Sequence, residues 1–122
     1  MAVTSTSGDK LATIADHARG LEINPDDALA HNHLAWISAT APEDELRNGR
    51  QAVEHARRAC ELSGWKVAGF LDTLAASYAE CGEFEEAIRY QQQAAGLAPE
   101  TDRPDYEKRL ELYRAGKPFR DE

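Results

Sequence analysis

Apolar residues along this chain recur at three- and four-residue intervals and nowhere alternate with polar ones for more than a few positions, a pattern that predicts helices throughout and no sheet. A first helix is expected from about Asp9, with Leu11, Ile14, Ala15, Ala18 and Leu21 on one face, until Asn24-Pro25 stops it. A second opens after Asp26-Asp27, whose carboxylates suit the positive helix N-terminus, and carries Leu29, Leu34, Trp36 and Ile37 to the Thr40-Ala41-Pro42 break. Pro42 to Arg47 has room for a turn of helix at most, and Asn48 is placed to cap the next helix. This third helix, Gly49 to Leu62, shows Ala52, Val53, Ala56, Ala59 and Leu62 on one face. The fourth, about Val67 to Cys81, gathers Phe70, Leu71, Leu74, Ala75 and Tyr78 before the left-handed stop expected at Gly82. The fifth, Glu83 to Leu97, presents Phe84, Ala87, Ile88, Gln91, Ala94 and Leu97, and Pro99 prevents its continuation. Pro104 opens a last helix with a narrow stripe of Tyr106, Leu110 and Tyr113, its remaining positions charged.

Short helices at this spacing call for a repeat search. Ala52-Val53, Ala59 and Leu62 recur 35 positions later as Ala87-Ile88, Ala94 and Leu97. Leu34-Ala35 recurs 40 positions later as Leu74-Ala75, so an insertion of five lies between Ala41 and Gly49. In the unit from Ala68 to Thr101, Leu71, Leu74, Ala75, Tyr78, Gly82, Phe84, Ala87, Ala94, Leu97 and Pro99 fall in a pattern that resembles the tetratricopeptide repeat. Leu71 stands where that family often has Trp, and Gln91 where an aromatic is usual. The Leu34-Ala35-Trp36, Ala59-Cys60-Glu61-Leu62 and Phe70-Leu71-Asp72-Thr73-Leu74-Ala75 strings look like C-terminal modules of larger bacterial proteins.

The resemblance implies an all-α fold of antiparallel helix-turn-helix repeats in a right-handed superhelix, about two and a half repeats with a C-terminal cap helix. Its parts are a leader (1–8), a repeat domain (9–116) and a tail (117–122). The repeat domain comprises a half repeat (9–25), a divergent repeat (26–65), a repeat (66–101) and the cap helix (103–116). The N-terminal end looks cut in mid-repeat.

Composition narrows the chemistry. The 122 residues, enough for one domain, carry 14 Lys and Arg against 22 Asp and Glu, a formal charge of -8 that disfavours nucleic acid and anionic lipid as partners. No apolar run approaches a membrane span and the first ten residues lack a signal-peptide core, so the expected compartment is the cytoplasm. Cys60 and Cys81 form neither a CxxC pair nor a disulfide framework; both read as ordinary buried residues, at opposite ends of antiparallel helices and unbridged. His31 and His33 point roughly 160° apart on one helix and cannot share a metal, and His17 and His55 have only adjacent acids. No phosphate-binding glycine loop or nucleophile-base pair is present, so no catalysis, metal or cofactor is expected. Arg47, Arg50, Arg57 and Arg58 are interleaved with Glu54 and Glu61 and read as a solvated, ion-paired face.

The expected function is therefore non-catalytic protein–protein interaction, since repeats of this kind set first helices side by side on a concave wall. The resemblance implies groove positions at Leu29, Asn32, Trp36, Ala39 and Thr40, then Gly69, Asp72, Ala76, Ala79 and Glu80, of which Asn32, Trp36, Thr40, Asp72, Ala76 and Glu80 form the expected site. Trp36 is the apolar anchor, while Asp72 and Glu80 call for a polar or basic group. The expected partner is a protein or peptide with apolar and basic residues; homo-oligomerisation through the N-terminal half repeat, as a self-association or spacer module, is the alternative.

Overall fold

Local stop and start signals set the architecture. A computed structural model describes residues 7–122, which form α1 (Ser7–Ile23), α2 (Ala28–Thr40), a single 3-10 turn (Asp44–Leu46), α3 (Gly49–Leu62), α4 (Ala68–Glu80), α5 (Phe84–Leu97) and α6 (Arg103–Arg114). No strand occurs among the described residues. Of the leader expected over 1–8, residues 1–6 lie outside the described residues, and Ser7 and Gly8 already belong to α1.

Several boundaries have a local cause. The Asp27 carboxylate accepts from the Ala30 amide at 3.1 Å and opens α2, and the Asn48 side chain accepts from the Gln51 amide at 3.2 Å and opens α3. Gly82, at φ 78°, lets the chain reverse after α4: its amide and that of Glu83 return to the Ala79 and Tyr78 carbonyls, both at 3.0 Å. Trp65 follows Gly64 into the left-handed region at φ 63°, a conformation costing a bulky side chain about 1–3 kcal/mol. Its amide donates to Cys60 O at 2.8 Å, and its ring stacks on Tyr90, which stacks on Tyr78, so the indole closes the α3–α4 junction.

The helices pair as antiparallel hairpins, α2 with α3 and α4 with α5, and α2 and α4 also lie side by side. Small residues allow this approach: Ala35, Ala56, Ala59, Ala75, Ala87 and Ala94 are fully buried around Leu71 and Leu74. The last helix packs on α5 and closes the core with Leu110 and the wholly buried Tyr113. At the other end, the principal neighbour of α1 is α2. With a single main partner, α1 buries Ile14 and Leu21 only halfway, and Leu11 and Ile23 stay 54% and 84% exposed.

Both cysteines are free. Cys60 is buried as expected, but Cys81 is exposed, because it caps α4 instead of facing the core. A Cβ on Gly49 would come within 2.8 Å of Cys81 Sγ, which places Cys81 beside the start of α3, the end remote from Cys60.

Candidate binding groove

The N-terminal halves of α2, α4 and α6 face one another across an open cavity of about 630 Å³, lined among others by Asn32, Trp36, Gly69, Asp72, Tyr106 and Arg109, with α1 contributing Thr13 and His17. The opposite half of this face is covered by the chain itself. After α6, Gly116 adopts φ 72° and the Lys117 amide returns to Leu112 O at 2.9 Å, turning the chain back over the groove. Residues 118–121 then run from α6 past α4 to α2.

Three expected groove residues meet this segment. The Trp36 indole N–H donates to the Asp121 carboxylate at 2.8 Å, and its ring lies 5.7 Å from that of Phe119, centroid to centroid. The Asp121 amide donates to the Thr40 carbonyl at 2.8 Å. This carbonyl belongs to the last turn of α2, where helix geometry leaves the backbone acceptors without intrahelical donors. Glu80 receives Arg120 at 2.8 Å and Arg47 at 3.3 Å. The basic group expected to meet Glu80 is thus supplied in cis.

Asp72 is also answered from within. It is 5% exposed, and Arg109 of α6 grips it with two hydrogen bonds, Nε to Oδ1 at 2.9 Å and Nη2 to Oδ2 at 3.1 Å. Gln91 adds a third at 2.9 Å, its amide nitrogen donating also to Tyr106 O at 3.0 Å. Burial lifts the Asp72 carboxyl above the ordinary carboxylate range, while Arg109 and Gln91 pull in the other direction. The guanidinium of Arg109 lies within 6 Å of the rings of Trp36, Tyr106 and Phe119, so one cation ties α6, α4, α2 and the tail together. Gln91, which departs from the aromatic of the repeat pattern, is a buried polar node at this junction.

The remaining expected residues differ in availability. Ala76 is buried against Ala39 and Ala52 with Trp36 packed on them, so it shapes the floor and offers no contact. Asn32 is half-buried at the cavity, and its Oδ1 has no protein donor. Reasoning from the sequence missed Arg109, Tyr106, Phe119, Arg120 and Asp121; the one available signal was an aromatic next to an arginine in a segment otherwise read as a tail.

The histidines pair across helices. His31 Nδ1 lies 2.9 Å from His55 Nδ1, and His33 Nδ1 lies 3.2 Å from His17 Nε2. Because His31 Nε2 faces the Pro25 carbonyl at 2.8 Å, it carries a proton; in the neutral ring Nδ1 is then the acceptor and His55 Nδ1–H the donor. Burial, then the neighbouring His31, lowers the His55 pKa from its usual 6.5, with Glu54 opposing. A lowered histidine pKa means that the fold binds this proton more weakly than the unfolded chain does. Its stabilisation is complete above pH 6.5 and is lost as pH falls through the lower folded value. The melting temperature is expected to drop between pH 7.5 and 5.5, and less so in His55→Phe; equal acid slopes in the two proteins would contradict this assignment.

Other reactive groups are quiet. Burial pushes the Cys60 thiol up to about 12, which leaves it protonated at neutral pH. Among the described residues no group of three or more His, Cys, Asp or Glu is placed to hold a metal ion, and no helix is long and apolar enough to cross a membrane. The arginines around α3 are dispersed: Arg58 pairs with Asp26 and Glu61, Arg47 with Asp44 and Glu80, and Arg57 donates to the Tyr78 hydroxyl. Comparison with protein-family models, with curated proteins and with solved structures finds no match to this chain.

Proposed function

We propose that this chain is a non-catalytic, tetratricopeptide-like interaction module that holds a peptide or protein segment in the groove formed by α2, α4 and α6. The observation that supports this reading is the seat of residues 118–121. An aromatic contact on Trp36, an ion pair on Glu80 and a main-chain hydrogen bond to Thr40 are the three kinds of contact by which grooves recognise extended segments. The partner is a protein with apolar and basic residues, met in the cytoplasm; nucleic acid and membrane surfaces do not suit a chain of charge -8.

Panning a random-peptide display library against the intact chain tests this. Enriched peptides are expected to lose at least about tenfold in affinity with Asn32→Ala or Glu80→Lys and to be indifferent to Arg58→Ala on the far side of α3. Failure to enrich any peptide, or sensitivity only to the α3 change, would remove the groove from consideration. One observation favours self-association as a second reading: Leu11, Ile23 and Leu29 are all large, apolar and more than half exposed near the N-terminal end. Under that reading the mass in sedimentation would rise with concentration and fall back with Leu11→Glu.

A further inference from the structure

We propose that the groove is built for an extended segment reading aromatic, basic, acidic at consecutive positions, and that Phe119, Arg120 and Asp121 occupy it in cis as a built-in competitor of such a partner. The proposal rests on the groove reading above and adds the chemistry of the partner and its regulation.

The three side chains of the tail each meet a different element of the groove. Phe119 packs beside both the Trp36 ring and the Arg109 guanidinium, Arg120 reaches Glu80, and Asp121 accepts from the Trp36 indole. The Asp121 amide meanwhile donates to the Thr40 carbonyl, a contact available to a peptide of any sequence. Main-chain docking at a helix end together with three side-chain contacts in consecutive register is the geometry of a bound peptide. A packed turn would bury its own side chains on one another; here they are spent on α2, α4 and α6.

A tethered segment of this kind acts at an effective concentration of about the millimolar range, so a competitor with the same contacts wins only at similar concentration. An effective partner therefore needs contacts that the tail does not make. The cavity of about 630 Å³ beside Trp36 offers them. Tyr106 and Ile37 supply apolar wall there, and the exposed Asp102 and Asp105 carboxylates line it as acceptors. A segment longer than the tail that brings an N–H donor and an apolar side chain into this cavity gains both, and displaces residues 118–121.

The test uses the 122-residue chain and the synthetic six-residue peptide Lys-Pro-Phe-Arg-Asp-Glu. In NMR titrations the peptide is expected to bind the variant Phe119→Ala/Arg120→Ala/Asp121→Ala at least about tenfold more tightly than the native chain, whose groove is open in only a fraction of molecules. The shifted resonances should cluster at Trp36, Thr40 and Glu80, and a peptide with the same three alanines should bind neither protein. Equal binding to both chains, or none to the variant, would overturn the proposal.

Should the variant not fold, the native chain still decides. Exchange of the Asp121 amide should be slow, and should quicken as the peptide reaches several millimolar; fast exchange from the start would refute the seated tail. Slow exchange accompanied by doubling of the mass would make the occupant a second copy and overturn the cis assignment. The two readings fail separately. Display peptides that depend on Asn32 and Glu80 but lack the aromatic-basic-acidic order and leave Asp121 protected would sink this proposal and spare the interaction module. A library that enriches nothing would sink the module, with Asp121 exchange unaffected.

Discussion

Arg109→Ala is expected to destabilise the protein by about 3–5 kcal/mol, because it leaves the Asp72 carboxylate buried beside α6 without its counter-charge. For a domain of this size, that corresponds to a melting temperature lower by roughly 12–20 °C. The loss should depend on pH in a defined direction. Asp72 already lies above the ordinary carboxylate range through burial, and removing Arg109 deletes the main opposing influence. A carboxyl with a raised folded pKa binds its proton more tightly in the fold than in the unfolded chain, so stability rises as pH falls through that value. The Arg109→Ala penalty should therefore be largest at neutral pH and shrink in acid. Adding Asp72→Ala to Arg109→Ala should return part of the loss at pH 7, since the unpaired charge is gone. Denaturant unfolding of the two single variants and the double variant measures the coupling directly. Additive losses would mean that the ion pair does not hold α6 to α4.

The arrangement also changes how the groove can be probed. Replacing Asp72 tests the fold rather than capture of a partner, because its oxygens are already engaged by Arg109 and Gln91. Asn32 and Glu80 are better probes: one lines the open cavity and the other contacts the tail.

Tyr113 should give the other large effect. Its side chain is wholly buried, so Tyr113→Ala is expected to cost about 3–5 kcal/mol through lost burial and the cavity left behind. Tyr113→Phe should behave differently. The phenol oxygen is buried without a hydrogen-bond partner, and burial holds its pKa well above the ordinary tyrosine value. Removing an unsatisfied hydroxyl while keeping the ring should leave stability unchanged or raise it by up to about 1 kcal/mol. Thermal or urea unfolding of the two variants distinguishes a packing role from a polar one: a loss of more than about 1 kcal/mol in Tyr113→Phe would show that the hydroxyl has a partner. The alanine result also bears on the last helix. With Tyr113 and Leu110 inserted into the core and Arg109 neutralising Asp72, α6 holds the fold together while its outer face stays in water.

Much of this molecule is legible in the chain because the relevant causes are local. Asp27 and Asn48 start helices because their side chains reach amides three residues on, and Gly82 and Pro99 end them because of backbone conformations those residues permit or forbid. The α3 span over Gly49–Leu62 comes from such signals alone, as does the antiparallel pairing that keeps Cys60 and Cys81 apart. The resemblance to the tetratricopeptide repeat implied that Trp36, Asp72 and Glu80 share one side of α2 and α4, and in the structure all three meet α6 or residues 118–121. What meets those residues was not legible. The partner of Trp36 is 85 positions away in Asp121, that of Asp72 is 37 positions away in Arg109, and His31 faces His55 across 24. Periodicity assigns a side chain to a face but carries no information about which distant segment packs on that face. That choice is made by the summed burial, charge pairing and backbone hydrogen bonding of the closed chain, and only the tertiary structure places Phe119, Arg120 and Asp121 in the groove.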